Sequence, residues 1–282
     1  MELQPSSSQC VHVAFADHYV TITSNLAYDA LSLAASMAPM LVSEPSGTCA
    51  GCLQAFASGN RFAIKGTDRP DCEYFEDAEE GVRALHHRVV KLLLDARPDL
   101  LFIHAAVVAS GSGAIVLAAP SGQGKSTMVA EFLALGWLYL SDEIAAIDPA
   151  TRQVVPFPLS PHKRIGPESS LSPEEVCTLQ KVSIDVSAAA IGVDRQPIQA
   201  ICFLRYSPGS HAARLLPCPP GTAVIELLKN SLNDLLAREL EIAKLCSIVR
   251  GTVSFYMDYF SASDGARELS HRVRSIGRAL QL

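Results

Sequence analysis

The 282-residue chain contains no unbroken run of about eighteen apolar residues, so no transmembrane helix and no membrane partner are expected. Its longest apolar stretches are strand-sized or interrupted by Ser, Gly and Pro. An excess of positive charge is also missing. Twenty-three Lys and Arg against 29 Asp and Glu leave a net charge of −6, which argues against the basic surface a nucleic-acid partner requires. The segment from Arg267 to Arg278 alternates basic and apolar residues at helical spacing and reads as the wet side of a helix. Residues Met1 to Ser8 offer neither a basic n-region nor an apolar h-region, so no signal peptide is expected and the expected location is cytoplasmic. The eight cysteines are then expected as free thiols. Cys177, Cys202 and Cys246 have apolar neighbours and are expected in the core. Cys49-Ala50-Gly51-Cys52 has C-x-x-C spacing, but a second ligand pair for zinc is lacking, with Cys10 and Cys72 standing as scattered singles. That pair is expected in a plain loop between two strands. Neither an internal repeat nor a low-complexity tract is present.

What is there is apolar enough, at 49% hydrophobic residues, to bury a full core. The pattern divides the chain into a small N-terminal α+β domain over residues 1–97 and a larger domain over residues 98–282, with Arg97-Pro98-Asp99 as the boundary. In the first domain Val11 to Phe15 and Tyr19 to Thr23 alternate as strands around the turn Ala16-Asp17-His18. Residues Ala27 to Met40 have helical spacing. Cys52 to Ala57 and Arg61 to Lys65 flank Ser58-Gly59-Asn60 as a hairpin. Asp77 to Leu94 predicts an amphipathic helix with acids in its first turn. In the second domain strands are expected over Leu100 to Ile103, His104 to Ala109, Ala114 to Ala118, Trp137 to Leu140, Ala200 to Tyr206 and Val253 to Tyr259. Helices are expected over Val224 to Leu240 and Asp264 to Leu282, and a long loop over Pro156 to Pro173.

The most specific segment is Ala119-Pro120-Ser121-Gly122-Gln123-Gly124-Lys125-Ser126-Thr127. It follows the apolar run Ala114 to Ala118 and leads into Met128 to Leu135, which is strand, glycine-bearing loop and helix in the order a phosphate-binding loop needs. Backbone amides of such a loop and the positive end of the helix dipole hold phosphate oxygens. Pro120 to Thr127 are therefore the expected nucleotide-binding residues, with Lys125 on the β- and γ-phosphates and Ser126 on Mg²⁺. One position departs from the general G-x-x-x-x-G-K-[ST] pattern: the first glycine is Ala119, which gives up easy access to positive φ.

Transfer chemistry requires more than a phosphate loop. Asp142 and Glu143 follow the strand Trp137 to Leu140, where a carboxylate can hold Mg²⁺ while a neighbour accepts a proton from an attacking hydroxyl. His104 heads the strand that turns back into the loop strand and can orient a carboxylate or contact a phosphate. Asp142, His104 and Lys125 are the expected catalytic residues, and Ser126, Asp142 and Glu143 the expected metal ligands.

These residues carry a resemblance. His104-Ala105, then Pro120 to Thr127, then Leu140-Ser141-Asp142-Glu143 resemble the catalytic domain of HPr kinase/phosphorylase. They match more closely the HPr-kinase-related group that includes peptide serine kinases of ribosomal-peptide gene clusters. That group favours A-P-S-G-x-G-K-S-T, which accounts for Ala119, and [ST]-D-E. The resemblance is sharp from Ile103 to Asp148. It implies an α/β, mixed α+β fold with a phosphoenolpyruvate-carboxykinase-like P-loop kinase core, ATP and Mg²⁺ as cofactors, Asp142 as base and Glu143 in place of a second Asp. It also implies a homo-oligomer. The E-x-R-G-L-G motif of the HPr kinases proper is missing, its nearest substitute being Pro161-His162-Lys163-Arg164-Ile165-Gly166, so phosphorolysis is not expected. His162, Lys163, Arg164 and Arg205 are candidates for contact with nucleotide or acceptor phosphate, or else solvated charges. The expected function is ATP- and Mg²⁺-dependent transfer of the γ-phosphate to a serine hydroxyl of a peptide or small protein. The alternatives are a small-molecule kinase, for example of free serine, and a nucleotide-binding accessory protein that transfers nothing.

Overall fold

The computed structural model describes residues 9–25, 37–165, 180–208 and 212–279. The chain forms two compact units, Met1–Pro98 and Asp99–Leu282, each with a mixed sheet, and five α-helices are described in all. Among the described residues no helix is long and apolar enough to cross a membrane.

In the first unit β1 (Gln9–Phe15) and β2 (His18–Ser24) form an antiparallel hairpin. With β3 (Leu41–Val42), β4 (Thr48–Ser58), β5 (Arg61–Gly66) and β6 (Arg69–Phe75) they make a sheet of order β3-β1-β2-β4-β5-β6, in which only β2 and β4 run parallel. β4 begins earlier than the hairpin pattern implied and takes in Cys49 and Cys52, so the C-x-x-C lies in a strand and not in a loop. Helix α1 (Ala78–Asp95) packs its Leu85, Val89 and Leu93 on this sheet. Its start is fixed by Asp77, whose carboxylate accepts a hydrogen bond from the Glu79 amide, with Glu79 and Glu80 in the first turn. Arg88 of α1 is buried and pairs with Asp68 and Glu73 of the β5–β6 hairpin. Although burial works against it, that guanidinium holds the Asp68 carboxyl below its ordinary range. The helix expected over residues 27–40 lies outside the described residues, except for its last turn, a 3-10 turn at Ala38–Met40.

The second unit contains β7 (Leu101–Ser110), β8 (Gly113–Ala118), α2 (Lys125–Ala134), β9 (Leu138–Ser141), β10 (Ile144–Asp148) and β11 (Gln153–Val155). A two-stranded pair, β12 (His162–Ile165) and β13 (Gln180–Ser183), follows, so the expected loop over Pro156 to Pro173 is partly strand. Residues 156–161 of that loop are irregular, and residues 166–173 lie outside the described residues. β14 (Gln196–Tyr206), β15 (Arg214–Pro217), α3 (Pro220–Lys229), α4 (Arg238–Val249), β16 (Val253–Tyr259) and α5 (Ala262–Ala279) complete the unit. The large sheet has the order β11-β10-β7-β8-β14-β16-β15, with β9 also on β7, and β11 pairs with β14 as well as β10. β8, β14 and β16 are parallel neighbours.

Helices cover both faces, which is why these strands read as continuous apolar runs. Leu101, Ile103, Ala105 and Val107 pack toward α3 and α4 through Ala223, Leu227 and Leu245. Ala106 and Val108 pack on the other face with Met128, Val129 and Phe132 of α2 and Leu269 and Val273 of α5. Arg267, Arg272 and Arg274 are exposed on α5. The segments expected as separate strands over Leu100 to Ile103 and His104 to Ala109 form one strand, Leu101–Ser110. The helix expected over Val224 to Leu240 is two helices with a break at residues 230–237. The break has a tertiary cause. The Leu232 amide donates to the Phe102 carbonyl, and the Asn233 side chain bonds both the amide and the carbonyl of Phe102. Those polar groups seal the edge of β7, where a continued helix would leave it unpaired. Cys202 is buried as expected, Cys246 is exposed against expectation, on the outer side of α4, and Cys177 lies outside the described residues.

Candidate active site

β8 delivers the chain to Ala118, α2 starts at Lys125, and residues 119–124 form the turn between them. Gly124 has φ 77°, and a Cβ there would collide with the hydroxyl of Tyr259. That hydroxyl donates to the Gln123 carbonyl at 2.5 Å, and burial pushes its pKa far up, so it stays a donor. The Tyr206 amide donates to the Gln123 side-chain oxygen at 2.8 Å. The loop is thus pinned to the carboxyl ends of β14 and β16 through Gln123, whose side chain is a structural anchor. Ala119 is buried and is not among the positive-φ residues, so this turn places no demand for glycine at its first position. Gly124→Ala is expected to lower stability by about 2 kcal/mol or more, through positive φ plus steric overlap. Thermal unfolding checks this, and an unaltered midpoint would contradict the Tyr259 contact.

Lys125 is only 8% exposed. Its ammonium donates to the Ala119 carbonyl at 2.7 Å, to the Pro120 carbonyl at 3.3 Å and to His104 Nε2 at 3.1 Å. An ammonium only donates, so Nε2 is the acceptor and the ring proton sits on Nδ1. Nδ1 in turn donates to the Glu143 carbonyl at 3.1 Å, and the Ala105 amide donates to the same carbonyl at 3.2 Å. The His104 amide donates to the Asn230 carbonyl at 2.7 Å. His104 therefore links the lysine to the turn that carries the two acids.

That turn joins β9 to β10 and is tightened by the Ile144 amide donating to Ser141 Oγ at 3.1 Å. Asp142 is 4% exposed. Its Oδ2 accepts from Ser126 Oγ at 2.8 Å and from the His162 amide at 3.3 Å, while the buried Oδ1 has no hydrogen-bond partner among the described residues. Burial outweighs those bonds, and the adjacent Glu143 adds to it, pushing the carboxyl up to about 6. Glu143 is half-buried beside it. A buried carboxylate oxygen without a donor, next to a serine hydroxyl on a phosphate-type loop, fits a divalent cation. Mg²⁺ characteristically takes one or two carboxylates and completes its shell with water and phosphate oxygens.

Lys125, Ser126, His104 and Asp142 are thus brought together from α2, β7 and the β9–β10 turn. The His162 main chain reaches them, while the side chains of Lys163 and Arg164, and Gly166, lie outside the described residues. Arg205 is placed elsewhere. It lines a cavity of about 560 Å³ that adjoins the loop at Pro120 and Gln123 and includes Glu226, Asn230 and Tyr256. The Arg205 guanidinium lies 3.6 Å from the Tyr256 ring centroid, with Nε 3.6 Å from Asp258 Oδ1. The Tyr256 hydroxyl donates to Glu226 at 3.2 Å, and burial together with Glu226 pushes its pKa up to about 12. Tyr206, Asn230, Tyr256 and Tyr259 carry no sequence signal for this role, since they reach the loop, His104 and the cavity only through the pairing of β14, β16 and the 230–233 segment with the loop strands. Compared with models of known protein families and with curated proteins, the chain matches none.

Proposed function

We propose that the chain is a Mg·ATP-dependent kinase, related to the HPr kinase/phosphorylase group, which places the γ-phosphate on a serine hydroxyl of a peptide or small protein. We also propose that its second unit is a phosphoenolpyruvate-carboxykinase-like P-loop core. The contact between Ser126 Oγ and Asp142 Oδ2, beside the orphaned Oδ1, carries this assignment. It joins the phosphate-loop helix to a buried carboxylate, which supports a metal-binding or proton-accepting role for Asp142. Three parallel strands end at the loop, and ligands of such sheets bind at the carboxyl ends of the strands.

Ser126, Asp142 and Glu143 would hold Mg²⁺, which when bound neutralises charge on the transferring phosphoryl group. The chain's own groups do the rest. Amides of the loop and the α2 N-terminus bind phosphate oxygens. Lys125 exchanges one of its three acceptors for a phosphate oxygen and adds positive charge where negative charge develops. His104 keeps that lysine and the Glu143 backbone in register. Asp142, with its carboxyl raised toward neutrality, accepts the serine hydroxyl proton as the oxygen attacks phosphorus.

The cavity favours a second acceptor class. Arg205 and Glu226 put one cation and one anion on Tyr256, a pairing that suits the carboxylate and ammonium of a free hydroxyamino acid. Both classes are separated by one experiment, in which the protein is incubated with Mg·ATP and either a serine-peptide library or free serine. Intact mass is followed for one added phosphoryl group, together with ADP release. Phosphoryl transfer to peptide is the expected result. ATP binding without ADP release in either arm would remove the kinase assignment and leave a nucleotide-binding module.

A further inference from the structure

The cysteine pair of the first unit has a geometry its spacing does not announce. In a regular strand, residues i and i+3 face opposite sides of the sheet. Here the register of β2 against β4 runs Tyr19 to Cys49 and then Val20 to Gly51, so Ala50 is an extra residue in a β-bulge. The bulge turns Cys49 and Cys52 to the same face. Both are exposed, and their sulfurs are 3.8 Å apart.

The bulge is held from its buried side. Gly51 is buried against Leu92 of α1, where a Cβ would come within 3.0 Å of that side chain and 3.2 Å of the Thr67 hydroxyl. The Cys52 amide donates to Thr67 Oγ1 at 3.0 Å, and the Thr67 amide donates to the Cys52 carbonyl at 3.0 Å. These contacts fix the backbone that carries the two sulfurs on one face. Metal chemistry lacks ligands here: among the described residues no three His, Cys, Asp or Glu side chains form a metal-binding group.

We propose that Cys49 and Cys52 form a dithiol–disulfide couple that reacts with low-molecular-weight disulfides. Cys49 acts first. Its thiol donates to the Gly51 carbonyl, at 3.5 Å, and its sulfur lies within reach of the Cys52 thiol. Burial and the neighbouring Cys49 raise the Cys52 thiol, and with the Cys49 proton directed at the Gly51 carbonyl it is Cys52 that donates to Cys49 Sγ. The Cys49 thiolate attacks one sulfur of the external disulfide and forms a mixed disulfide, and the released thiolate takes up the Cys49 proton. Cys52 then loses its proton, attacks Cys49 Sγ and expels the second small thiolate, which takes up that proton. Two protein thiols are oxidised by two electrons, one external disulfide is reduced to two thiols, and one S–S bond replaces another. The sulfurs approach from 3.8 Å to about 2 Å, the length of the bond.

The test uses the full chain and oxidised glutathione. Chymotryptic cleavage after Leu41 and Leu53 isolates Cys49 and Cys52 from every other cysteine. The expected result is that this peptide becomes two hydrogens lighter and carries no glutathione, and that dithiothreitol reverses the change. Cys52→Ser, at an exposed position, is expected to leave the melting temperature unchanged and to trap one glutathione on Cys49. A wild-type peptide that stays reduced, carries glutathione on both cysteines, or is bridged to Cys10 would overturn the proposal. So would a Cys52→Ser variant that takes up no glutathione.

Discussion

Replacing Lys125 with alanine is expected to weaken Mg·ATP binding about 10- to 100-fold. Charge-assisted hydrogen bonds contribute about 1.5–3 kcal/mol, and each 1.4 kcal/mol is about a factor of ten. The loss has a structural side as well. The ammonium satisfies the Ala119 and Pro120 carbonyls and His104 Nε2, so its removal leaves two turn carbonyls and the imidazole nitrogen of β7 without that donor. Stability is therefore expected to fall by about 1–3 kcal/mol, which thermal unfolding reads separately from affinity. Calorimetry on the folded variant decides the matter. Wild-type affinity for Mg·ATP would remove the phosphate-loop assignment, whatever the melting temperature does.

Asp142→Asn is expected to move activity and stability in opposite directions. Loss of the proton acceptor should lower turnover about 10²- to 10⁴-fold, with ADP release as the readout. Turnover equal to wild type would sink the base assignment. The stability effect follows from the raised carboxyl, about 6 in the fold against an ordinary 3.8. The sign is that of a group that folds more readily when protonated. Its favourable contribution is complete below about pH 4 and is lost as pH rises through about 6. Above pH 6 the fold carries an ionised, poorly solvated carboxylate, at a penalty of about 3 kcal/mol from a shift of about two units. Asparagine carries no charge and escapes the penalty. In metal-free buffer at pH 8 the variant should melt several degrees higher than wild type, and the gap should close by pH 4. A variant that is less stable than wild type at pH 8 would mean that Asp142 is better solvated than its burial implies. Activity gained at the expense of fold stability is the usual mark of a functional site.

How much of this was legible beforehand depends on the range of the forces involved. The strand, loop and helix around Lys125 are written locally, in apolar runs and glycines, and they follow in the order the pattern placed them, with the helix starting at Lys125 and not at Met128. The boundary near Pro98 and the cap of α1 at Asp77 are equally local. The break between α3 and α4 was not legible, because Leu232, Leu235 and Leu236 continue a helical spacing that only the edge of β7 overrules. The environment of Asp142 was not legible either. Its unpartnered Oδ1 arises where β9, α2 and β12 meet, three segments distant in sequence. The shared face of Cys49 and Cys52 depends on a one-residue slip against β2, which period-two alternation would have denied. Asp142 and His104 were nameable from sequence, but their hydrogen-bond partners were not.

The pairing of β11 with both β10 and β14 has a consequence for how an acceptor is recognised. β7, β8, β14, β11 and β10 form a continuous ring of paired strands, and the 230–233 segment occupies the remaining edge of β7 beside Phe102. Strands in such a ring have no row of open amides and carbonyls to offer an incoming extended chain. On the proposed kinase reading, an acceptor peptide would therefore gain nothing from adding itself as another strand of that ring. Acceptor selectivity would on that reading rest on side chains, and Arg205 and Glu226, in the cavity that adjoins the loop at Pro120 and Gln123, are the positions at which substitution would alter it while the ring of strands is left untouched.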